Sequence, residues 1–281
     1  MAQPFADRFA GARKRFGPLV FGLDPSSEIL RRWGLADTPE GLERFVDIAI
    51  EVAVGSVGLV KPQSAFYERH GWQGVRALSR LVAEARSEGL LVVLDVKRGD
   101  IGSTNHAYAT AYMGADAPIQ ADAITVHPYL GLGAMTSLIE RADESGSCLI
   151  VVVRSSNAEG RSLQCAVTES GASVEQALLG EIAAVNSRLA PGRIGPVGAV
   201  VAPLASAQPL ELRSANALFL VPGLGAQGAT PSEVASTFAE CPERAMPSAS
   251  RSLLEAGPEP ASLREAVEKL ACELARVGLG A

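Results

Sequence analysis

Eight short apolar runs recur along the chain, separated mostly by stretches with helical periodicity. They cover 18–24 (PLVFGLD), 57–61 (VGLVK), 90–96 (LLVVLDV), 121–127 (ADAITVH), 148–154 (CLIVVVR), 197–202 (VGAVVA), 217–222 (ALFLVP) and 244–250 (RAMPSAS). Most are rich in Val, Ile and Leu without strict alternation, the pattern of parallel strands covered by helices. Between them, 38–54 reads as a helix with Thr38 as N-cap and Pro39 at the first position, and 72–89 as one ending at Gly89. Residues 262–278 read as a closing helix capped by Ser262, with Glu265 completing a capping box. The repeated strand–helix unit predicts an α/β protein, a (β/α)8 TIM barrel forming a single domain over 1–281, with an open doubly wound sheet as the competing architecture. Pro247 would remove a ladder hydrogen bond from the eighth strand. The connection over 155–173 is far longer than usual in such units and reads as either an active-site lid or a surface excursion.

Composition narrows the partners. The chain of 281 residues is 47% hydrophobic and 20% charged, enough to bury a large core. Its net charge is −6 with no basic run, which argues against nucleic acid. No stretch of eighteen apolar residues and no apolar leader is present, so no membrane association and a cytoplasmic location are expected. Cys148, Cys165, Cys241 and Cys272 are widely spaced and are expected to be buried reduced thiols. His70, His106 and His127 lack metal-ligand spacing, so no metal is expected; His106 should be exposed on a helix, while Trp33 and Trp72 should pack.

In a barrel the chemistry gathers at the carboxyl ends of the strands. Those ends are polar here: Asp24, Lys61, Asp95 with Lys97, His127, Ser155 with Ser156, the loop PGLGAQG (222–228), and Arg251. Asp95 and Lys97, two apart on a strand, should share a face. Lys61 and Asp100 would extend the row, and alternating signs let all four stay ionised where an isolated charge would be costly. Gly223, Gly225 and Gly228 would let backbone N–H groups and a helix N-terminus approach a phosphate, which Arg251 could grip in a fork.

The stretch DVKRGDIGST (95–104) resembles the D-x-K-x-x-D-I-x-x-T signature of orotidine 5′-phosphate decarboxylases. FGLDPS (21–26), LVKPQSAFY (59–67), VVRSSN (152–157) and VPGLGAQG (221–228) follow in that family's order, and the long insert suggests its longer, type 2 bacterial subgroup. The resemblance implies a cofactor-independent carboxy-lyase that converts orotidine 5′-monophosphate to uridine 5′-monophosphate in de novo pyrimidine biosynthesis. It implies Lys97 as the proton donor to C6, Asp95 against the substrate carboxylate, and Lys61 holding the charged row and the ribose. Asp100 would reach the neighbouring subunit's site in a homodimer. Asp24 and Thr104 would contact the ribose, Ile101 would form an apolar wall, and Ser156 would meet the pyrimidine edge. Gln227 and Arg251 would hold the phosphate over Pro222. Carbon dioxide loss leaves a carbanion that a fixed positive charge must stabilise, and flanking carboxylates favour a charged lysine. The rival readings are an aldolase or another decarboxylase acting on a different phosphorylated small molecule, with Lys61 or Lys97 as a Schiff base, and a non-catalytic nucleotide-binding barrel.

Overall fold

A computed structural model describes residues 2–204, 207–226 and 228–280. Its helices, in chain order, begin with α1 (Phe5–Phe16), α2 (Ser27–Arg32), α3 (Pro39–Ala53), α4 (Ala65–Glu68), α5 (Gly71–Ser87) and α6 (Gly102–Tyr112). They continue with α7 (Thr136–Ser145), α8 (Arg161–Gln164), α9 (Val174–Leu189), α10 (Pro231–Thr237), α11 (Arg251–Leu254) and α12 (Pro260–Leu274). The strands are β1 (Val20–Leu23), β2 (Leu59–Pro62), β3 (Leu91–Arg98), β4 (Ala123–Val126), β5 (Cys148–Arg154), β6 (Val197–Val201), β7 (Phe219–Val221) and β8 (Ala245–Ala249). Each pairs in parallel with the next, and β8 closes on β1, so the sheet is a barrel and not the open alternative.

Two apolar layers follow from the alternation of side chains along each strand. Val20, Leu59, Leu91, Val93, Ile150, Val200, Leu220 and Met246 form one cluster with Phe5 and Phe9 of α1, which packs under the amino ends of the strands. The larger cluster, including Phe21, Val60, Val92, Leu94, Val151 and Val221, packs against the outer helices. On β3 the inward series runs Leu91, Val93, Asp95, so the interior turns from apolar to charged toward its carboxyl end. No helix among the described residues is long and apolar enough to cross a membrane.

Several local expectations are corrected. Ser262 does not cap the last helix: α12 begins at Pro260, whose ring suits the first helical position, and Glu259 stands at the N-cap without a side-chain bond. The capping box lies instead at Thr230 and Glu233, on α10. Pro247 is accommodated because β8 pairs with β7 over Ala245 to Pro247 and with β1 only from Ser248 onward. Cys165 and Cys272 are exposed, and Trp72 is 71% exposed, so none of these three is a core residue. Trp33 does pack, with its indole N–H donating to Leu254 O at 2.8 Å, and His106 is exposed.

The 155–173 connection contains α8 and an antiparallel bridge between Val167 and Ser173. Its two ends are stapled by a buried fork in which Arg154 Nε and Nη2 donate to the Glu175 carboxylate at 2.7 and 2.6 Å.

Candidate active site

A cavity of about 470 Å³ opens at the carboxyl ends of the strands. Asp24, Lys61, Asp95, Lys97, Ser156, Pro222 and Arg251 all line it. The charged groups form an unbroken row. Lys61 Nζ lies 3.8 Å from Asp24 Oδ1 and 3.3 Å from Asp95 Oδ2, and Lys97 Nζ lies 2.6 Å from Asp95 Oδ1. Burial would push the Asp95 carboxyl up; the charges of Lys61 and Lys97 and hydrogen bonds from Lys97 and Thr125 outweigh it, holding the pKa at about 2. Burial likewise opposes the Lys61 ammonium, and Asp24 and Asp95 outweigh it, leaving its pKa above the ordinary lysine value. Asp95 is therefore a carboxylate and Lys61 a cation at neutral pH.

Asp95 and Lys97 meet, but not through simple strand alternation. Leu94 pairs with Ile124 whereas Arg98 pairs with Val126, so β3 carries two extra residues over this step. Within that bulge Lys97 adopts a φ of +43°, a left-handed conformation that non-glycine residues rarely take. The Lys97 N–H donates to Thr125 Oγ1 at 3.0 Å, and the Thr125 hydroxyl donates to Asp95 Oδ1 at 2.6 Å.

Thr125 and Gln63 are functional positions that the strand-end reading passed over. Gln63 Nε2 donates to Asp95 Oδ2 at 3.0 Å, and its backbone N–H donates to Asp24 Oδ1 at 3.1 Å, so one residue seats both acids. The signal was parity: Gln63 lies two past Lys61, and Thr125 two past the inward Ala123. His127 sits at the end of β4 outside the cavity wall; partial burial and the Lys97 charge hold its imidazole below the ordinary histidine value.

Asp100, Ile101 and Thr104 do not line the cavity of their own chain. They sit where β3 leads into α6, with Ile101 61% exposed and Thr104 exposed. Buried Asn105 pins this turn, accepting from Asp100 N and donating to Asp100 O and Ala134 O. The expectation that Asp100 continues the row within one chain is thus corrected: the turn carries it outward.

At the other side of the mouth, Gly223, Gly225 and Gly228 all have positive φ, and Leu224 bridges to Ala229. The N–H groups of Gly225, Ala226, Gly228 and Ala229 bond to carbonyls of the same loop, and the α10 N-terminus is sealed by its capping box. The expected backbone cradle for an anion is therefore largely spent on shaping the loop. Arg251 adds a cation at this side of the mouth. Gln227 lies outside the described residues. Ser155 lines the cavity too, but its hydroxyl is engaged with Asn157 at 2.6 Å and Gln164 at 2.8 Å.

Residues 17–266 match the model of the orotidine 5′-phosphate decarboxylase / HUMPS family. The chain belongs to this family. A curated orotidine 5′-phosphate decarboxylase of Myxococcus xanthus is 44% identical over 95% of this chain and 93% of its own length. One from Streptomyces coelicolor is 43% identical over 97% of both chains. The crystal structure of a Streptomyces avermitilis protein assigned to the same activity superposes with a TM-score of 0.93 at 42% identity, covering 98% of this chain and 96% of that one. No group of three His, Cys, Asp or Glu side chains is placed to hold a metal among the described residues. The charged side chains that line the cavity are those of the lysine–aspartate row and Arg251.

Proposed function

We propose that the chain decarboxylates orotidine 5′-monophosphate to uridine 5′-monophosphate in pyrimidine biosynthesis, with Lys97 as the proton donor to C6. The observation that carries this reading is the row Asp24–Lys61–Asp95–Lys97, with contacts of 2.6 to 3.8 Å at the cavity floor. As the C6–carboxylate bond breaks, its electron pair stays on C6, in the plane of the ring and without a carbonyl to delocalise it. Stabilisation must come from a fixed cation aimed at that carbon, and a charged lysine both supplies it and then transfers its proton. Asp95, ionised beside it, holds that ammonium in place and faces the departing carboxylate. Lys61 keeps the two acids together and reaches the ribose with Asp24. Arg251 takes the phosphate above Pro222, so that binding energy remote from the ring presses C6 against Lys97. Ser156, which lines the cavity, is assigned the pyrimidine edge.

The reading extends to a homodimer of single-domain barrels in the cytoplasm, with Asp100, Ile101 and Thr104 completing the neighbouring site. Its support is the outward turn that removes all three from their own cavity while exposing Ile101. Turnover of orotidine 5′-monophosphate in excess chelator tests the reaction, and activity that collapses with metal removal counts against it. Lys97→Ala should lower kcat by at least about 10³-fold while uridine 5′-monophosphate still binds. Mixing inactive Lys97→Ala and Asp100→Ala chains should regain activity, because a hybrid pair restores one complete site; no regain would rule out the shared site.

A further inference from the structure

We propose that Arg98, through its ion pair with Glu68, is the positioning residue that sets the Lys97 bulge and aims its ammonium into the cavity. The inference rests on Lys97 being the proton donor. A lysine held at φ +43° within a two-residue bulge does not stay there by local preference; the surroundings must over-determine it. Backbone contacts do part of this: Lys97 N–H bonds to Thr125 Oγ1 at 3.0 Å, and His127 N–H bonds to Arg98 O at 2.8 Å. These fix the peptides around Lys97 against β4, while the Gln63–Asp95 bridge and the Ser64 N–H on Asp95 O tie the start of the bulge to the end of β2.

The Arg98 side chain adds a hold toward α4. It is absent from the cavity wall and turns the other way. Its Nη1 donates to Val96 O at 3.3 Å, straddling Lys97, and its Nη2 donates to Glu68 Oε1 at 2.5 Å. The guanidinium also lies over the Tyr108 ring of α6, 5.8 Å from its centroid. Glu68, at the end of α4, accepts in turn from the Ser64 hydroxyl at 2.6 Å, and the Ser64 N–H donates to Asp95 O at 3.1 Å. The contacts close a ring: Lys97 to Asp95, Asp95 to Ser64, Ser64 to Glu68, Glu68 to Arg98, and Arg98 back across Lys97. Outward pull on Arg98 and inward presentation of Lys97 are two sides of one bulge. Both partners of the Arg98–Glu68 pair are partly exposed, 27% and 37%, so the pair adds little to global stability and its value lies in geometry.

Steady-state turnover by the full chain tests this with Arg98→Met, Glu68→Gln and the double variant. A displacement of about 1 Å at the reacting group costs up to about a hundredfold in rate, so Arg98→Met should lower kcat by about ten- to a hundredfold. KM and the Kd for uridine 5′-monophosphate should move by less than about threefold, since Arg251 and the phosphate loop are untouched. Exchange of the product's C6 hydrogen for deuterium, which needs Lys97 at C6 but no decarboxylation, should fall in parallel with kcat. The double variant should be no worse than Arg98→Met, because both act through one ring. If Arg98→Met does not fold, Glu68→Gln alone decides by the same split. Unchanged kcat, losses shared equally by KM and product binding, or additive losses in the double variant would overturn the clamp. Wild-type turnover run alongside separates that outcome from failure of the decarboxylase reading itself.

Discussion

Replacing Asp95 by Asn keeps its shape and removes the only acid among the described residues that touches both lysines of the row. Lys61, with a side chain only 10% exposed, would keep Asp24 at 3.8 Å but lose its nearer partner at 3.3 Å. Breaking a buried pair by removing one member typically costs 3–5 kcal/mol, and the surviving Asp24 contact places Asp95→Asn near the lower end, at about 3 kcal/mol. Part of this is linked to pH. Because the folded carboxyl sits at about 2 against an ordinary 3.8, ionised Asp95 contributes about 2 kcal/mol of stability. The sign follows from the depression: the contribution is complete above about pH 4 and is lost as pH falls toward 2. The wild type should thus lose about 1 kcal/mol at this group between pH 7 and pH 3, whereas the Asn variant has no such carboxyl to protonate. Urea unfolding of both proteins at pH 7, 4 and 3 measures the difference. A stability gap near 3 kcal/mol at neutral pH that narrows by about 1 kcal/mol at pH 3 is expected. An Asn variant as stable as the wild type at pH 7, or a gap that widens on acidification, would refute the view that Asp95 is held ionised by its two lysines.

Arg251→Ala should raise KM by about ten- to a hundredfold, the worth of charge-assisted bonds to a phosphate, and should leave turnover of the phosphate-free nucleoside unchanged. Kinetics on the two substrates check this, and equal losses on both would remove Arg251 from the phosphate site. Gly22→Ala should destabilise the fold by about 1–3 kcal/mol, because no space exists for a methyl group between β1 and the end of β8. Its Cβ would lie 2.4 Å from Ser250 Cβ, so thermal unfolding should fall and KM should rise as Ser250 pushes the adjacent Arg251 aside.

Much of this protein was legible along the chain. The eight apolar runs became the eight strands with shifts of at most two residues at their ends, since a helix-covered parallel strand needs a continuous apolar run and little else tolerates one. Thr38 and Pro39 started α3 as read, because a cap depends only on neighbours within one turn. Ser262 failed because Pro260, two residues earlier, suits the first helical position and starts the helix there. Polar strand ends pointed to Asp24, Lys61, Asp95 and Lys97, and all four line one cavity, since barrel closure brings every such end to a common rim.

What the chain could not declare was how those groups are held. Nothing in DVKRGD announces a two-residue bulge or a lysine at positive φ, where β4 meets Lys97 through Thr125 on one side and α4 meets Arg98 through Glu68 on the other. Nor could spacing tell that the glycine loop spends its N–H groups on itself, or that Asp100 turns out of its own cavity. Residue types and their order determined which charges this protein owns. Contacts between strands far apart in sequence decided where each charge points, because a side chain's direction depends on a backbone that only its neighbours in space can strain into place.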